Sequence, residues 1–239
     1  MISKTRLLEN PALSKAASKL YLNTLAKTFN YTEYYNAFNP EQYYKFVGSP
    51  TWENFVEVGN KIVEALKSNR LSPDAKVLDG GCGTGRVTEP LTKYLSDKAI
   101  YVGFDIGKEA IEYCQAKYKQ RNYHFIVTDG TTLPTLGYKF GAILFMSVFT
   151  HLYQTETLQL LELCKPALAD GGKVYASFWF SGDKDSLVHT DTVNGTRERM
   201  EYSRKYLYRL LRAEGWNITE QHWGLRQKIL VLSKAASLA

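Results

Sequence analysis

Cysteine is too scarce and too scattered in this chain to staple or ligate anything. Cys82, Cys114 and Cys164 are odd in number and form no Cys-x-x-Cys pair, which argues against a disulfide framework and against a thiolate zinc site. Free thiols suit a reducing, cytoplasmic setting. Long apolar runs are missing as well: the longest, Phe140 to Phe149, falls short of the roughly 20 residues that a bilayer crossing needs. Met1 to Leu20 holds basic and serine residues but no continuous apolar segment, so a secretory signal is not expected and an organelle transit peptide is the lesser alternative. Neither low complexity nor an internal repeat interrupts the 239 residues, a length that suits one full domain with an N-terminal elaboration. No metal cluster is expected, beyond a single ion that scattered acids could assemble.

The charge balance decides little. A net charge of +6 is a weak pull towards anionic partners. Basic residues gather at Arg197, Arg199, Arg204, Lys205, Arg209 and Arg212. They read as the wet face of a helix whose buried stripe is Tyr206, Leu207, Leu210 and Leu211, in preference to a nucleic-acid contact. The expected partner is a small molecule, with no nucleic acid and no membrane. Oligomeric state is left open.

What stands out is a glycine-rich turn, Val77-Leu78-Asp79-Gly80-Gly81-Cys82-Gly83-Thr84-Gly85-Arg86. It closes a short apolar run and opens a helical pattern, and Gly81, Gly83 and Gly85 let the backbone turn tightly and lie close to a ligand. A dinucleotide fingerprint starting at Gly81 would need glycine at 86, where Arg86 stands. A phosphate loop starting at Gly80 would need Lys and then Ser or Thr after Gly85, where Arg86 and Val87 stand. An acid followed by alternate glycines resembles instead the first motif of class I S-adenosylmethionine-dependent methyltransferases.

Beyond the turn, strand and helix alternate. Strands are expected at Lys76–Asp79, Ile100–Phe104, Tyr123–Val127, Phe140–Ser147 and Lys173–Phe180, the last entered by an Asp170-Gly171-Gly172 turn. Helices are expected at Val87–Leu95, Lys108–Gln120 and Gln154–Lys165, this last one stopped by Pro166. Such alternation argues for a doubly wound parallel α/β sheet. A helix over Arg199–Glu214, capped by Gly215, then precedes two strands, Asn217–His222 and Lys228–Ser233, that must pair antiparallel for want of a crossover. The resemblance implies the same fold: a Rossmann-like sheet of seven strands, mostly parallel with an antiparallel last strand. Residues 1–70 are expected to be a helical extension or lid, and 71–239 the cofactor-binding domain. In the extension, Trp52, Phe55, Val56, Ile62, Val63 and Leu66 make one apolar face. Six tyrosines and three phenylalanines lie between Tyr21 and Phe46, either packing onto the sheet or forming a substrate wall that includes Tyr34 and Tyr35.

Acids at successive strand ends suit a ligand with an adenosine, an amino acid and a sulfonium. The resemblance implies that Asp79 holds the cofactor's amino group, that Asp105 accepts from both ribose hydroxyls, and that Ile106 lies on the adenine face. It further implies that Asp129-Gly130 recognises the adenine amine. Arg86 is a candidate for the methionine carboxylate, and the Met146 backbone for an added carbonyl. After the fourth strand, Met146-Ser147-Val148-Phe149-Thr150-His151-Leu152 lacks the Pro-Pro-aromatic signature of amino-directed DNA methyltransferases and lacks a catalytic cysteine. The run resembles bacterial methyltransferases acting on sugars and natural products, as do Phe55-Val56-Glu57-Val58-Gly59 and Leu168-Ala169-Asp170-Gly171-Gly172. His151 is the candidate general base. His189 is a weaker one, and Trp179 and Phe180 are candidates to line an acceptor pocket. The expectation is methyl transfer from S-adenosyl-L-methionine to a small-molecule hydroxyl, with an RNA-modifying enzyme or a non-catalytic cofactor-binding protein as alternatives.

Overall fold

In the computed structural model, residues 40–181, 189–193 and 196–235 are described. Their first five strands are β1 Lys76–Gly80, β2 Ile100–Asp105, β3 Tyr123–Val127, β4 Phe140–Phe145 and β5 Leu168–Phe180. All five run parallel, in the order β3-β2-β1-β4-β5. Strands buried on both faces need no polar alternation, and β4 accordingly buries Phe140, Ala142, Ile143, Leu144 and Phe145. The last two strands, β8 Trp216–Gln221 and β9 Lys228–Lys234, extend the β5 edge. Strand β9 is antiparallel to β5 from Val174↔Leu232 to Phe178↔Lys228, and β8 is antiparallel to β9. These seven strands are the expected sheet.

Helices cover both faces. Leu78, Val102, Ile143 and Phe145 share a core with Leu160 and Leu161 of α4 (Gln154–Ala167) and with Leu207 and Leu211 of α5 (Arg204–Ala213). On the opposite face Val77, Tyr101, Leu144 and Ile229 pack with α1 (Trp52–Ser68), with Leu91 of α2 (Thr88–Leu91) and with Ile111 and Cys114 of α3 (Lys108–Lys117). Helix α1 starts where Thr51 accepts the Asn54 N–H at 3.1 Å, the usual service of a threonine N-cap. It buries Phe55, Gly59, Ile62, Val63 and Leu66, a helical stripe of the expected period. Trp52 remains 40% exposed, stacked on Phe55 and under the Lys117 ammonium. No described helix is long and apolar enough to cross a membrane.

Several elements differ from expectation. Helix α2 is four residues long, because the Lys93 and Tyr94 N–H groups bond three residues back, to the Pro90 and Leu91 carbonyls, and so end the four-residue ladder. Helix α4 runs through Pro166 to Ala167 and closes with the Leu168 N–H on the Cys164 carbonyl; a proline in the last turn interrupts less than one in mid-helix. Strand β5 begins at Leu168 and carries Asp170-Gly171-Gly172 as an irregularity, its register against β4 shifting between Phe140 and Ala142. The expected start of the Arg199–Glu214 helix belongs instead to a hairpin, β6 His189–Val193 and β7 Thr196–Tyr202. Its second strand joins the tip of β5 through Trp179↔Glu201 and Phe180↔Tyr202. So α5 begins at Arg204, and Arg197 and Arg199 belong to a strand. On α5, Arg204, Lys205, Arg209 and Arg212 are exposed as expected, while of the expected buried stripe Leu207 and Leu211 are buried and Tyr206 and Leu210 half-buried.

Helix α1 meets the glycine turn at Gly59, where a Cβ would stand 2.2 Å from the Arg86 carbonyl oxygen. Backbone cannot yield there as a flexible side chain can. Gly59→Val is therefore expected to cost about 2 kcal/mol or more, as overpacking does, and chemical denaturation of the two proteins measures it.

Candidate functional site

The order of the sheet reverses between β1 and β4, and ligands of open α/β sheets bind outside the carboxyl ends of strands at such a point. The glycine turn leaves β1 there. Its first two N–H groups, on Gly81 and Cys82, both donate to the Phe104 carbonyl at 2.8 and 3.1 Å, tying the turn to the neighbouring β2. Gly81, Gly83 and Gly85 have φ of +68°, +53° and +88°, and Cβ atoms on them would meet Val148, Val47 and the Tyr118 ring within 2.6 Å. Both conformation and room demand glycine.

Asp79, the last residue but one of β1, is 2% exposed and accepts from the Tyr101 hydroxyl at 2.7 Å, with Thr88 Oγ1 another 2.7 Å beyond that hydroxyl. Burial pushes the Asp79 carboxyl up to about 7; the Tyr101 hydrogen bond and the Arg86 charge resist this, and the Asp105 charge adds to it. Arg86 donates from one terminal nitrogen to the Val47 carbonyl at 2.7 Å, while its Nε is buried with no hydrogen-bond partner. Burial lowers its guanidinium to about 10, against the Asp79 charge. Asp105, ending β2, accepts from the Gly83 N–H at 2.9 Å and the Gly107 N–H at 2.8 Å. Burial raises its carboxyl and those backbone donors oppose the rise. Ile106 follows, half-buried.

Asp129 and Gly130 lie past β3, with the Asp129 carboxylate accepting from the Thr131 N–H at 2.9 Å and hydroxyl at 2.7 Å. Met146 is buried at the end of β4. His151, just beyond, is exposed, and its backbone N–H donates to the Val148 carbonyl at 2.9 Å. Trp179 and Phe180 are half-buried at the tip of β5, Phe180 packing edge-on to Tyr208 and under the Arg204 guanidinium on α5. Tyr34 and Tyr35 lie outside the described residues. The structure thus gathers Asp79, Arg86, Asp105 and the three glycines around one turn. Among the described residues no group of three His, Cys, Asp or Glu is placed to hold a metal.

Several participants escaped the sequence reading. Tyr101 reads as an apolar strand residue, yet its hydroxyl is the partner of Asp79. The 3-10 helix Pro40–Val47 lies over the turn: the Tyr43 carbonyl accepts the Thr84 hydroxyl at 2.9 Å, and Val47 receives Arg86. The β6–β7 hairpin left one usable signal, Asn194-Gly195 between Val193 and Thr196, the dipeptide preferred in two-residue hairpin loops. A groove of about 680 Å³ lies elsewhere, between α1 and the β8–β9 connection, and contains none of these residues.

The chain is similar to known proteins in sequence and in fold. Residues 77–172 match the family described as "Methyltransferase domain". Over 130 residues the chain is 27% identical to the ubiquinone/menaquinone biosynthesis C-methyltransferase UbiE of Wigglesworthia glossinidia brevipalpis, covering 47% of this chain and 52% of that protein. The chain therefore spans about half the length of that relative. Among solved structures it is similar to the glycopeptide N-methyltransferase MtfA complexed with S-adenosyl-L-methionine, at a TM-score of 0.56 and 15% identity over 74% of this chain and 93% of that one. It is also similar to the DhpI complex with S-adenosyl-L-homocysteine, at a TM-score of 0.58 and 18% identity over 93% and 97% of the two chains. At such identities the likeness shows the fold.

The Asp79 carboxyl carries a pH signature. Its pKa rises on folding from 3.8 to about 7, so the folded chain holds a proton that the unfolded chain gives up between those values. That contribution to stability is present below pH 3.8 and is lost as pH rises through about 7. Asp79→Asn is expected to flatten this decline in the unfolding free energy of the ligand-free protein. Urea titrations of both proteins across the range check it; parallel profiles refute the assignment.

Proposed function

We infer that this chain, which carries a class I S-adenosylmethionine-dependent methyltransferase domain, methylates a small molecule, with a hydroxyl of a sugar or secondary metabolite as the acceptor. The observation that carries this reading is the group of buried charges at the glycine turn. Asp79 is a carboxylate kept from water, whose ionisation a cation would restore. Arg86 keeps a buried Nε without a hydrogen-bond partner, which an anion would satisfy. A ligand with an ammonium and a carboxylate on one carbon fits both, and Asp105, beside the same turn, suits a diol. These residues fit S-adenosyl-L-methionine: Asp79 for the amino group, Arg86 for the carboxylate, Asp105 for the ribose hydroxyls, Ile106 and Asp129-Gly130 for the adenine.

When bound, this cofactor supplies an electrophilic methyl group on a sulfonium, a leaving group already activated. The protein's share is alignment and charge. An acceptor hydroxyl would have to give up its proton to a base on the protein as its oxygen took the methyl group. His151, past β4 on the ligand-binding edge, is our choice for that base, taking the proton on a ring nitrogen. Trp179, with Phe180, Tyr34 and Tyr35, is assigned to the acceptor side. The segment 1–70 is read as cover for the site, in keeping with the Tyr43 and Val47 contacts over the turn. We place the protein in the reducing cytoplasm, where its cysteines remain thiols.

A small acceptor is favoured because the residues after β4 lack the signatures of base methylation, and because MtfA acts on a glycopeptide. Nitrogen is the second choice of acceptor atom, as in that protein. Exposed Arg204, Lys205, Arg209 and Arg212 are the feature that would favour RNA, and methyl labelling of RNA with steep salt sensitivity would decide for it.

Calorimetry with S-adenosyl-L-homocysteine tests the cofactor roles. Asp105→Asn is expected to weaken binding about tenfold or more, the worth of a charged hydrogen bond; unchanged affinity would refute the ribose assignment. His151→Ala is expected to lower turnover about a hundredfold, as loss of a general base does, with cofactor affinity intact. Full activity in that variant would remove His151 from the reaction.

A further inference from the structure

Strand β4 leaves the sheet at Ser147, whose φ of +66° places a residue with a Cβ in the left-handed region. Such a conformation persists only where the surroundings over-determine it, and it clusters at functional sites. Here the surroundings are polar and specific. The Ser147 N–H donates to Ser177 Oγ on β5 at 2.7 Å. The Ser177 hydroxyl donates in turn to Gln227 Oε1, and the Ser147 hydroxyl donates to the same oxygen at 3.2 Å. Ser177 is 2% exposed, and Gln227 is the residue before β9. Three residues distant in sequence therefore close a ring at the carboxyl edge of the sheet.

The ring sets the direction of one peptide group. The Met146–Ser147 bond is trans, since the described chain has no cis peptide, so its N–H and C=O point opposite ways. Strand β4 lies between β5 and β1. With the N–H held by Ser177 on β5, the Met146 carbonyl faces away from that serine; β1, which carries Asp79 and leads into the glycine turn, is the neighbour of β4 on the other side.

We propose that Ser177 and Gln227 are positioning residues for the cofactor: through Ser147 they lock the Met146 carbonyl in the direction from which, with Asp79, it receives the ammonium of the methionine moiety. This rests on the cofactor reading above. Neither side chain is assigned a contact with the cofactor, and Gln227 brings the C-terminal antiparallel strands into the site's geometry. The ring also accounts for the left-handed Ser147: with the N–H committed to β5, the chain turns off β4 without a glycine.

A pair of ligands separates this role from a structural one. S-adenosyl-L-homocysteine carries the amino-acid moiety, and 5′-methylthioadenosine has the adenosine and thioether without it. In calorimetry on the full chain, Ser177→Ala and Gln227→Leu are expected to weaken S-adenosyl-L-homocysteine about tenfold, a partial loss of a charged hydrogen bond, and to leave 5′-methylthioadenosine unchanged. Gln227→Glu keeps an oxygen to receive both hydroxyls and is expected to restore the wild-type ratio of the two affinities. If Ser177→Ala does not fold, Gln227→Leu, at a half-buried position outside the strands, carries the test. Equal weakening of both ligands, or of neither, overturns the proposal while the cofactor reading stands. Failure of the wild-type protein to bind either ligand overturns both.

Discussion

A carboxylate withdrawn from water at the end of β1 is the constraint around which this site is built. Burying Asp79 is costly unless something compensates, and the compensation comes from several elements at once: the Tyr101 hydroxyl on β2, the Arg86 charge after the turn and, behind Tyr101, Thr88 of α2. The compensation is incomplete, since the carboxyl remains raised to about 7. A carboxyl in that condition would be ionised more readily with a cation beside it. Arg86 is complementary, a guanidinium lowered by burial and short of one hydrogen-bond partner.

Around this pair, backbone does most of the remaining work. The glycine turn is secured by the Phe104 carbonyl and by the Asp105 carboxylate on Gly83, so the second acidic strand end both shapes the turn and stands beside it. Helix α1 presses on the same turn at Gly59, and the 3-10 helix at 40–47 caps it through Tyr43 and Val47 carbonyls. The turn is thus held from below by the sheet and from outside by the segment that precedes it in sequence. Changes in that segment are coupled to the ligand-binding edge by direct hydrogen bonds.

The opposite side of the site depends on longer connections. The Met146–Ser147 peptide is oriented from β5 and from the lead into β9, and the Thr150 carbonyl receives the Met200 N–H of β7 at 2.7 Å. The residues after β4, where we propose the acceptor chemistry, are therefore braced by the C-terminal third of the chain. The β6–β7 hairpin at the tip of β5 belongs to this bracing and adds two strands to the expected seven.

Much of this was legible without coordinates, for a physical reason. A tight turn needs glycine by local sterics, a buried strand needs a short apolar run, and an amphipathic helix needs its period; each is written in a few neighbouring residues. Hence β1 to β5, α1, the turn and the acids at positions 79 and 105 could be read directly, together with the antiparallel β8–β9 pair. Partnerships across the sequence could not. Tyr101 to Asp79 spans 22 residues, Arg86 to Val47 spans 39, and Ser147 to Gln227 spans 80. No local pattern marks a strand tyrosine as a carboxylate's donor or a loop glutamine as the anchor of a peptide bond. The sequence alone determined where the backbone must turn and which acids stand at its strand ends; folding decided which distant groups meet those acids, because only packing sets how far the charges are removed from water and what answers them.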